Sequence, residues 1–376
     1  MNNNTRKLHD LGQSLWLDTI SRELLATGTL ARYIAELSVT GLTSNPTIFE
    51  QGIGNGDSYD KAISDLAGRA VTSEDLLLAL ALDDLQQAAD LLRPIYDTTD
   101  GLDGWVSLEV SPLLADDAVK TIAAAAQQHA TARRPNLFMK IPGTAAGLVA
   151  IEESIFAGVP INVTLLFSPE HYLAAAEAYM RGIERRIAVG RDPRVESVAS
   201  LFVSRWDTAV KEILRTPIRN RLGIAVAMRT YKAYCALLAS TRWQTLATAG
   251  AHPQRLLWAS TGSKDPAASD TLYVQALAAP NTINTMPEKT LLAFADHGLA
   301  SATMASDGGD AEVIIEAFKR QGVDEQALAA QLQRDGTRAF STSWQALLTR
   351  IEAKRKQQAG APMVAPPPGS ATHGRR

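Results

Sequence analysis

Residues 136–167 read NLFMKIPGTAAGLVAIEESIFAGVPINVTLLF, and this stretch decides the fold class. Two short apolar runs rich in β-forming residues, NLFMK (136–140) and INVTLLF (161–167), flank a segment with helical periodicity. A strand, a helix and a second strand in this order predict parallel pairing of the two strands through a right-handed crossover. The stretch therefore predicts an α/β fold.

The same alternation recurs along the chain. Alanine- and leucine-rich segments such as PEHYLAAAEAYMRGIERRIAVG (169–190) separate the apolar runs. The six further runs are SLWLD (14–18), VTGLTSN (39–45), WVSLEV (105–110), ESVASLFVS (196–204), RLLWAS (255–260) and NTINTM (281–286). Eight strand–helix units predict a closed (β/α)8 TIM barrel, although doubly wound sheets share this alternation.

The chain changes character beyond residue 309. Its pattern becomes purely helical, which predicts additional C-terminal helices packed outside the barrel. Residues 1–355 are therefore interpreted as a single barrel domain with a helical extension. Residues 356–376 are rich in proline, glycine and alanine and poor in large apolar residues, which predicts a disordered tail because such a segment cannot offset its ordering entropy.

Composition and charge exclude several classes of protein. Among 376 residues, 37 are lysine or arginine and 40 are acidic, and this balance argues against a nucleic-acid or membrane-surface partner. No apolar run reaches spanning length, and the N-terminal segment lacks the apolar core of a signal peptide, so a cytoplasmic location is the simplest expectation. The single cysteine, Cys235, excludes a multi-cysteine metal cluster.

Polar residues stand at the carboxyl ends of most predicted strands, where the active site of this barrel type lies. Strand alternation also places Asn162 on the same side as Thr164. The polar residues at the strand ends are Asp18, Asn45, Glu109, Lys140, Thr164, Ser200 and Ser260. So many polar ends predict a site at this face of the barrel.

Each of these residues taken alone has an ordinary structural explanation. Asp18 and Asn45 precede plausible helices and suit helix caps, and threonine or serine at a strand end is usually a satisfied strand residue. Glu109 is harder to explain in this way because glutamate is depleted in strands. Lys140 is the hardest, because a buried lysine costs free energy unless a partner compensates, although a plain ion pair would explain it.

A lysine buried in a barrel mouth has one well-defined chemical use. Burial favours the neutral amine, which can attack a carbonyl and form a Schiff base that then accepts electrons from a breaking carbon–carbon bond. This chemistry needs acid/base groups nearby, and Asp18 and Glu109 are of a suitable type. Competing patterns are absent from the sequence, since it has no HExxH motif, no close carboxylate–histidine cluster and no Walker-type loop.

At these residues the sequence resembles the transaldolases. The matching segments are SLWLDTISRELL, GLTSNPTIFEQ, VSLEVSP, NLFMKIPGT, INVTLLFS, SVASLFVSRWD and LLWASTGSKDP, and NTINTMPEKT extends the match. The resemblance implies a (β/α)8 barrel that acts on sugar phosphates with no metal and no organic cofactor.

The resemblance also implies roles for individual residues. Lys140 matches the Schiff-base lysine, and Asp18 matches the acid/base that takes the proton from the C4 hydroxyl. Glu109 and Thr164 match the pair that holds a catalytic water. The residues that match substrate-binding positions are Asn45, Asn162, Ser200, Phe202, Arg205 and Ser260.

One position departs from the family pattern. Many transaldolases carry an arginine just after the serine of the seventh strand, whereas this chain reads ASTGSKDP (259–266). Lys264, helped by Ser263, would then supply the second phosphate contact, although a lysine lacks the bidentate fork of an arginine.

Three functions follow from these observations. The first is a transaldolase, which transfers a dihydroxyacetone unit from sedoheptulose 7-phosphate to glyceraldehyde 3-phosphate. The second is a fructose 6-phosphate aldolase, but that subgroup typically has glutamine and tyrosine where this chain has Glu109 and Phe202. The third is a non-catalytic sugar-phosphate-binding barrel, which would have no use for Lys140 beside two carboxylates. The sequence leaves a monomer and a homodimer equally open.

Overall fold

The computed structural model describes residues 2–44, 46–54, 58–67, 72–212, 218–300 and 302–359. Eight parallel strands close a barrel in which each strand pairs with its neighbours in sequence and the first pairs with the last. The strands are β1 (Gln13–Leu17), β2 (Val39–Leu42), β3 (Trp105–Glu109), β4 (Leu137–Pro142), β5 (Ile161–Leu166), β6 (Ser197–Phe202), β7 (Arg255–Ala259) and β8 (Thr282–Met286). The prediction of a (β/α)8 barrel is confirmed, and the doubly wound alternative is wrong.

Helices surround the barrel and connect its strands. Those before β6 are α1 (Asn3–Asp10), α2 (Arg22–Ala26), α3 (Thr29–Leu37), α4 (Pro46–Gly54), α5 (Asp60–Ala67), α6 (Ser73–Thr98), α7 (Ala118–Ala132), α8 (Ala145–Ala157) and α9 (Pro169–Ala188). Those after β6 are α10 (Ser204–Ala209), α11 (Leu222–Leu238), α12 (Thr241–Thr248), α13 (Leu272–Ala276), α14 (Glu288–His297), α15 (Ala311–Lys319) and α16 (Glu325–Ala359). None of the described helices is long and apolar enough to cross a membrane.

Local signals in residues 136–167 explain why this stretch forms its strand–helix–strand unit. The Thr144 hydroxyl accepts a hydrogen bond from the Gly147 amide (3.0 Å) and so caps the first turn of α8. Gly158 ends that helix at a φ of +95°, a left-handed conformation that costs glycine little. The chain then enters β5, whose residues are all buried, as parallel strands covered by helices require.

Large side chains fill the amino end of the barrel. The Trp105 and Phe138 rings stack with their centroids 4.0 Å apart, and the Trp16 ring lies against Phe138. Gly41 faces this cluster, where a Cβ would collide with the Trp16 indole. Below it, the buried Arg255 guanidinium donates to the Ser14 hydroxyl (2.7 Å). Because this end is closed, the carboxyl ends of the strands provide the open face.

The C-terminal helices do more than pack outside the barrel. Helix α16 packs against α4, α5 and α6, and it reaches the barrel mouth. There the Gln333 amide donates to the carbonyls of Gly143 (3.0 Å) and Leu165 (3.1 Å). The helix continues to Ala359, past the domain boundary expected at residue 355, and residues 360–376 lie outside the described part of the chain.

Candidate active site

Lys140 lies on β4 with its amine inside the barrel mouth. Its Nζ forms an ion pair with Glu109 Oε2 at 3.1 Å, and the two side chains are 6% and 5% exposed. The pairing follows from strand register, because Glu109 and Lys140 are direct neighbours on β3 and β4. Nζ also donates to the Ser44 carbonyl (3.0 Å), and it lies 5.7 Å from the centroid of the Phe340 ring. The amine therefore has a fixed position.

Burial dominates the electrostatics of Glu109. It raises the pKa of this carboxyl from its ordinary value of 4.5 to about 6, because desolvation penalises the charged form. The neighbouring Lys140 ammonium acts in the opposite direction, and Asp18 adds a smaller increase in the pKa. A carboxyl with a pKa near 6 can both accept and return protons close to neutral pH.

Asp18 follows β1 and faces the same cavity. The Thr43 hydroxyl donates to its Oδ1 (3.0 Å), and the Thr43 and Thr285 hydroxyl oxygens lie 2.7 Å apart. Since the single proton of Thr43 goes to the carboxylate, the Thr285 hydroxyl must donate to Thr43. Burial raises the pKa of Asp18, and the opposing effect of Lys140 and of the Thr43 hydrogen bond is smaller. Two threonines thus orient this carboxyl.

Asn162 on β5 lies within a short chain of buried side chains. The Ser200 hydroxyl donates to Asn162 Oδ1 (2.7 Å), and Asn162 Nδ2 donates to the Ser107 hydroxyl (3.0 Å). These bonds fix the orientation of the amide. Farther along β5, Thr164 Oγ1 is buried and makes no hydrogen bond to any described residue, which leaves this hydroxyl available to a ligand or a water.

Above these residues opens a cavity of about 1020 Å³ with a cationic outer wall. Arg205 on α10 lies at this wall, with its guanidinium carbon 5.1 Å from the centroid of the Phe202 ring. Lys211, Arg219 and Lys264 also line the cavity. Burial lowers the pKa of Arg205, which nevertheless stays far above neutrality and keeps the side chain charged. Such a wall suits a terminal phosphate.

Buried hydrogen bonds hold the elements that carry these cations. Asp207 accepts from the amides of Leu222 (3.0 Å) and Gly223 (3.2 Å) and from the Tyr273 hydroxyl (2.9 Å), which fixes α10 to α11 and α13. Burial raises the pKa of Asp207 to about 6, and its hydrogen bonds oppose that rise. Arg205 on the same short helix is thereby held toward the cavity.

A second set of contacts holds the loop after β7. Asp265 Oδ2 lies 2.7 Å from Arg219 Nε and accepts from Asn220 Nδ2 at 2.7 Å. Lys264 directly precedes Asp265 and is exposed at the cavity rim. The Ser263 hydroxyl donates to the Asp265 carbonyl (3.2 Å) and does not line the cavity, so within the described structure only Lys264 of the expected pair faces it.

The structure brings together most of the residues singled out from the sequence. Glu109 and Asn162 lie just behind the cavity wall and contact Lys140 and Ser200. Asn45 lies outside the described residues. The predicted residues that line the cavity are Asp18, Lys140, Thr164, Ser200, Phe202, Arg205, Ser260 and Lys264.

Sequence reasoning missed several residues at this site. Thr43 could have been found, because it follows β2 in the segment that carries Asn45. Thr285 could have been found by alternation along β8, but nothing in the sequence marks the Ser44 carbonyl or the Phe340 ring. Among the described residues, no group of three or more histidine, cysteine or acidic side chains is placed to hold a metal ion.

A closed barrel whose mouth holds a buried amine and two carboxylates, below a cationic rim, is the arrangement of aldolases that work through a lysine imine. The profile of the transaldolase/fructose-6-phosphate aldolase family matches residues 15–351. The chain is 44% identical over 355 residues to the transaldolase of Thermobifida fusca, covering 92% of this chain and 96% of that protein. It therefore belongs to the transaldolase/fructose-6-phosphate aldolase family.

Two further relatives extend this similarity. The transaldolase of a Parafrankia species is 45% identical over 359 residues, covering 92% of this chain and 97% of that protein. Transaldolase 2 of Streptomyces avermitilis is 43% identical over 363 residues, covering 94% and 98% of the two chains. The similarity thus extends over nearly the full length of each relative, including the C-terminal helices.

Proposed function

We propose that this enzyme is a transaldolase, which transfers a dihydroxyacetone unit from sedoheptulose 7-phosphate to glyceraldehyde 3-phosphate and so yields erythrose 4-phosphate and fructose 6-phosphate. The observation that carries the proposal is the buried ion pair of Lys140 and Glu109 (3.1 Å) at the carboxyl end of a closed barrel. The relatives described above, which are named transaldolases, support the same activity.

The first step is formation of the imine. Glu109 takes a proton from the Lys140 ammonium, and the neutral amine attacks the C2 carbonyl of the ketose. The carbinolamine then loses water, and the carboxyl of Glu109, with its pKa near 6, returns protons during this step and during hydrolysis. The Thr164 hydroxyl is buried and makes no hydrogen bond to any described residue, which supports a role for Thr164 in holding the water that is lost and regained in these steps.

The second step breaks the carbon–carbon bond. Asp18 accepts the proton of the C4 hydroxyl, the C3–C4 bonding electrons move into the iminium, and the aldehyde product leaves while an enamine stays on Lys140. The hydrogen bond from Thr43 (3.0 Å) orients the carboxylate for this transfer. Asn162 and Asn45 have the role of binding substrate hydroxyls by resemblance to the family, and Ser200, which donates to Asn162, lines the cavity.

The outer wall of the cavity accounts for substrate class. Arg205 provides a guanidinium held against the Phe202 ring, and Lys264 and Arg219 add positive charge around it. A doubly charged phosphate at this wall would leave the carbon chain of the substrate pointing toward Lys140. Ser260, whose hydroxyl oxygen lies 2.9 Å from that of Ser204, also lines the cavity and can bind a substrate oxygen.

The runner-up activity is that of a fructose 6-phosphate aldolase, which releases free dihydroxyacetone. Release requires protonation of the enamine carbon, whereas transfer requires capture of a second aldehyde. Phe202 lines the cavity and has no proton to give, and Glu109 stands where the aldolase subgroup typically has glutamine. Both residues favour transfer.

A coupled assay with fructose 6-phosphate, run with and without erythrose 4-phosphate, tests the proposal. A transaldolase turns over rapidly only with the acceptor, an aldolase releases dihydroxyacetone without it, and a non-catalytic binder does neither. Borohydride reduction in the presence of fructose 6-phosphate adds a control, since a covalent adduct should form on the wild type and be absent from Lys140→Ala. An adduct of equal yield on that variant would assign the imine to another lysine.

We further propose that the enzyme acts in the cytoplasm as a monomer or homodimer without a nucleic-acid partner. The near balance of 37 basic and 40 acidic residues supports the absence of such a partner. Size-exclusion chromatography with light scattering, with and without added DNA or RNA, distinguishes these states.

A further inference from the structure

We propose that Phe340, on the C-terminal helix α16, is a specificity-determining residue that keeps proton donors away from the enamine and thereby favours transfer over release of free dihydroxyacetone. The inference rests on the proposed function. Phe340 lies 200 positions from Lys140 in the chain, yet its ring centroid is 5.7 Å from Lys140 Nζ and its side chain lines the cavity.

Helix α16 is anchored to the barrel on both sides of Phe340. Before it, Gln333 Nε2 donates to the carbonyls of Gly143 and Leu165, which lie at the ends of β4 and β5. Leu165 has a φ of +59°, and the pairing of β5 with β6 shifts register at this point. After Phe340, the Ser343 and Thr47 hydroxyl oxygens lie 2.9 Å apart. The helix therefore lies across the mouth in a fixed position.

Gly336, about one helical turn before Phe340, allows this close approach. A Cβ at this position would lie 2.9 Å from Leu165 Cδ2 and 3.2 Å from a guanidinium nitrogen of Arg205. The first distance is shorter than real Cβ contacts, so a larger residue would require the Leu165 side chain or the helix itself to shift. Glycine at residue 336 thus lets the next turn of the helix carry Phe340 into the cavity.

Phe340, whose ring lies near the amine, and Phe202 together form an aromatic wall of the cavity. Their ring centroids are 6.5 Å apart in an edge-to-face arrangement, and Phe340 is only 6% exposed. The face of an aromatic ring attracts a nearby cation, which here is the Lys140 ammonium and, after condensation, the protonated imine. Neither ring carries an O–H or N–H group, so the wall stabilises the cation without supplying a proton.

The chemistry of release shows why this wall matters. In release, a proton adds to the enamine carbon, water adds to C2 of the resulting iminium, and the C–N bond breaks to give dihydroxyacetone and the free amine of Lys140. Transfer ends with the same hydrolysis of an imine, so access of water to C2 serves both outcomes. The two outcomes differ only in whether the enamine carbon takes a proton or an aldehyde, and an apolar wall disfavours the proton.

The variants Phe340→Leu and Phe340→Ala test this inference, with Leu347→Ala as the matched control. Leu347 is fully buried on the same helix and does not line the cavity, so its truncation loosens the packing of α16 without opening the wall. The measured quantity is the ratio of free dihydroxyacetone released from fructose 6-phosphate alone to the rate of transfer to erythrose 4-phosphate. Borohydride trapping and circular dichroism verify imine formation and folding.

We expect the ratio to rise about tenfold in Phe340→Ala, which is less than the effect of a positioned general acid because the donor admitted is water, and to rise less in Phe340→Leu, which keeps an apolar side chain. Leu347→Ala should keep the wild-type ratio. An unchanged ratio in both Phe340 variants, with imine still trapped, would overturn the inference, and so would an equal rise in Leu347→Ala. Failure of the wild type to form any imine would instead overturn the proposed function, and this inference with it.

Discussion

Glu109 gives the most quantitative test of the site, through the pH dependence of the reaction. Burial raises its pKa from 4.5 to about 6 despite the Lys140 ammonium 3.1 Å away. A rise of that size corresponds to about 2 kcal/mol against the charged form. Because the ionised carboxylate must accept the proton from Lys140, activity should fall as the pH drops through 6. At pH 5 about one-tenth of the enzyme would be active, compared with roughly three-quarters for a carboxyl of ordinary pKa.

The assay is kcat/KM for fructose 6-phosphate with saturating erythrose 4-phosphate, measured from pH 4.5 to 8. Phosphate monoesters also titrate near pH 6, so the substrate itself could produce such a limb. Glu109→Gln is the control, since the amide keeps the shape of the side chain and does not titrate. We expect this variant to lose about a hundredfold or more in rate and to lose the part of the acid limb that belongs to Glu109.

Two results would refute this reasoning. A wild-type acid limb near pH 4.5 would mean that pairing with Lys140 outweighs burial. A limb near pH 6 that persists unchanged in Glu109→Gln would belong to the substrate phosphate or to Asp18, whose pKa burial also raises, and Glu109 would have no titrating role in turnover.

Three further predictions concern the residues around the amine. Asp18→Asn should lower kcat by about a hundredfold or more with little change in KM, because the amide cannot accept the C4 proton; near-normal turnover in steady-state kinetics would show that Asp18 does not accept it. Thr43→Val should lower kcat by about tenfold or more through loss of a hydrogen bond to a charged group, whereas Thr43→Ser should retain most activity; equal rates in the two variants would contradict this. Phe202→Tyr should raise acceptor-independent release of dihydroxyacetone, measured as free product, and no increase would show that Phe202 does not set the partition.

The regularity of the barrel explains which site residues could be predicted. Glu109 and Lys140 meet because consecutive parallel strands are neighbours, and Asn162 points the same way as Thr164 because side chains alternate along a strand. Both rules act over a few residues and can be applied to a sequence directly. Strand ends are less regular. The sequence pattern places Ser260 within the seventh strand, whereas β7 ends at Ala259 and Ser260 has a φ of +57°.

Alternation marks Thr285 as facing inward, but the contacts of the missed residues depend on tertiary packing that no local rule contains. Thr285 meets Thr43 only because the last strand closes the barrel against the first. The Ser44 carbonyl that binds Lys140 belongs to the backbone, which carries no residue-specific signal. Phe340 lies on a helix that the sequence pattern predicts to pack outside the barrel, and that pattern cannot specify that the helix crosses the mouth. Closure of the barrel and the path of a helix follow from tertiary packing.

The position of α16 has a consequence for biosynthesis. A ribosome makes the chain from its amino end, so Asp18, Glu109 and Lys140 are made long before the helix that carries Phe340. Closure of β1 against β8 must also wait for residues 282–286 to be made. A nascent chain that carries the reactive lysine therefore lacks both a closed barrel and the aromatic cover of its amine. If Lys140 forms an imine as proposed, that chemistry awaits closure of the barrel and so belongs to nearly finished molecules.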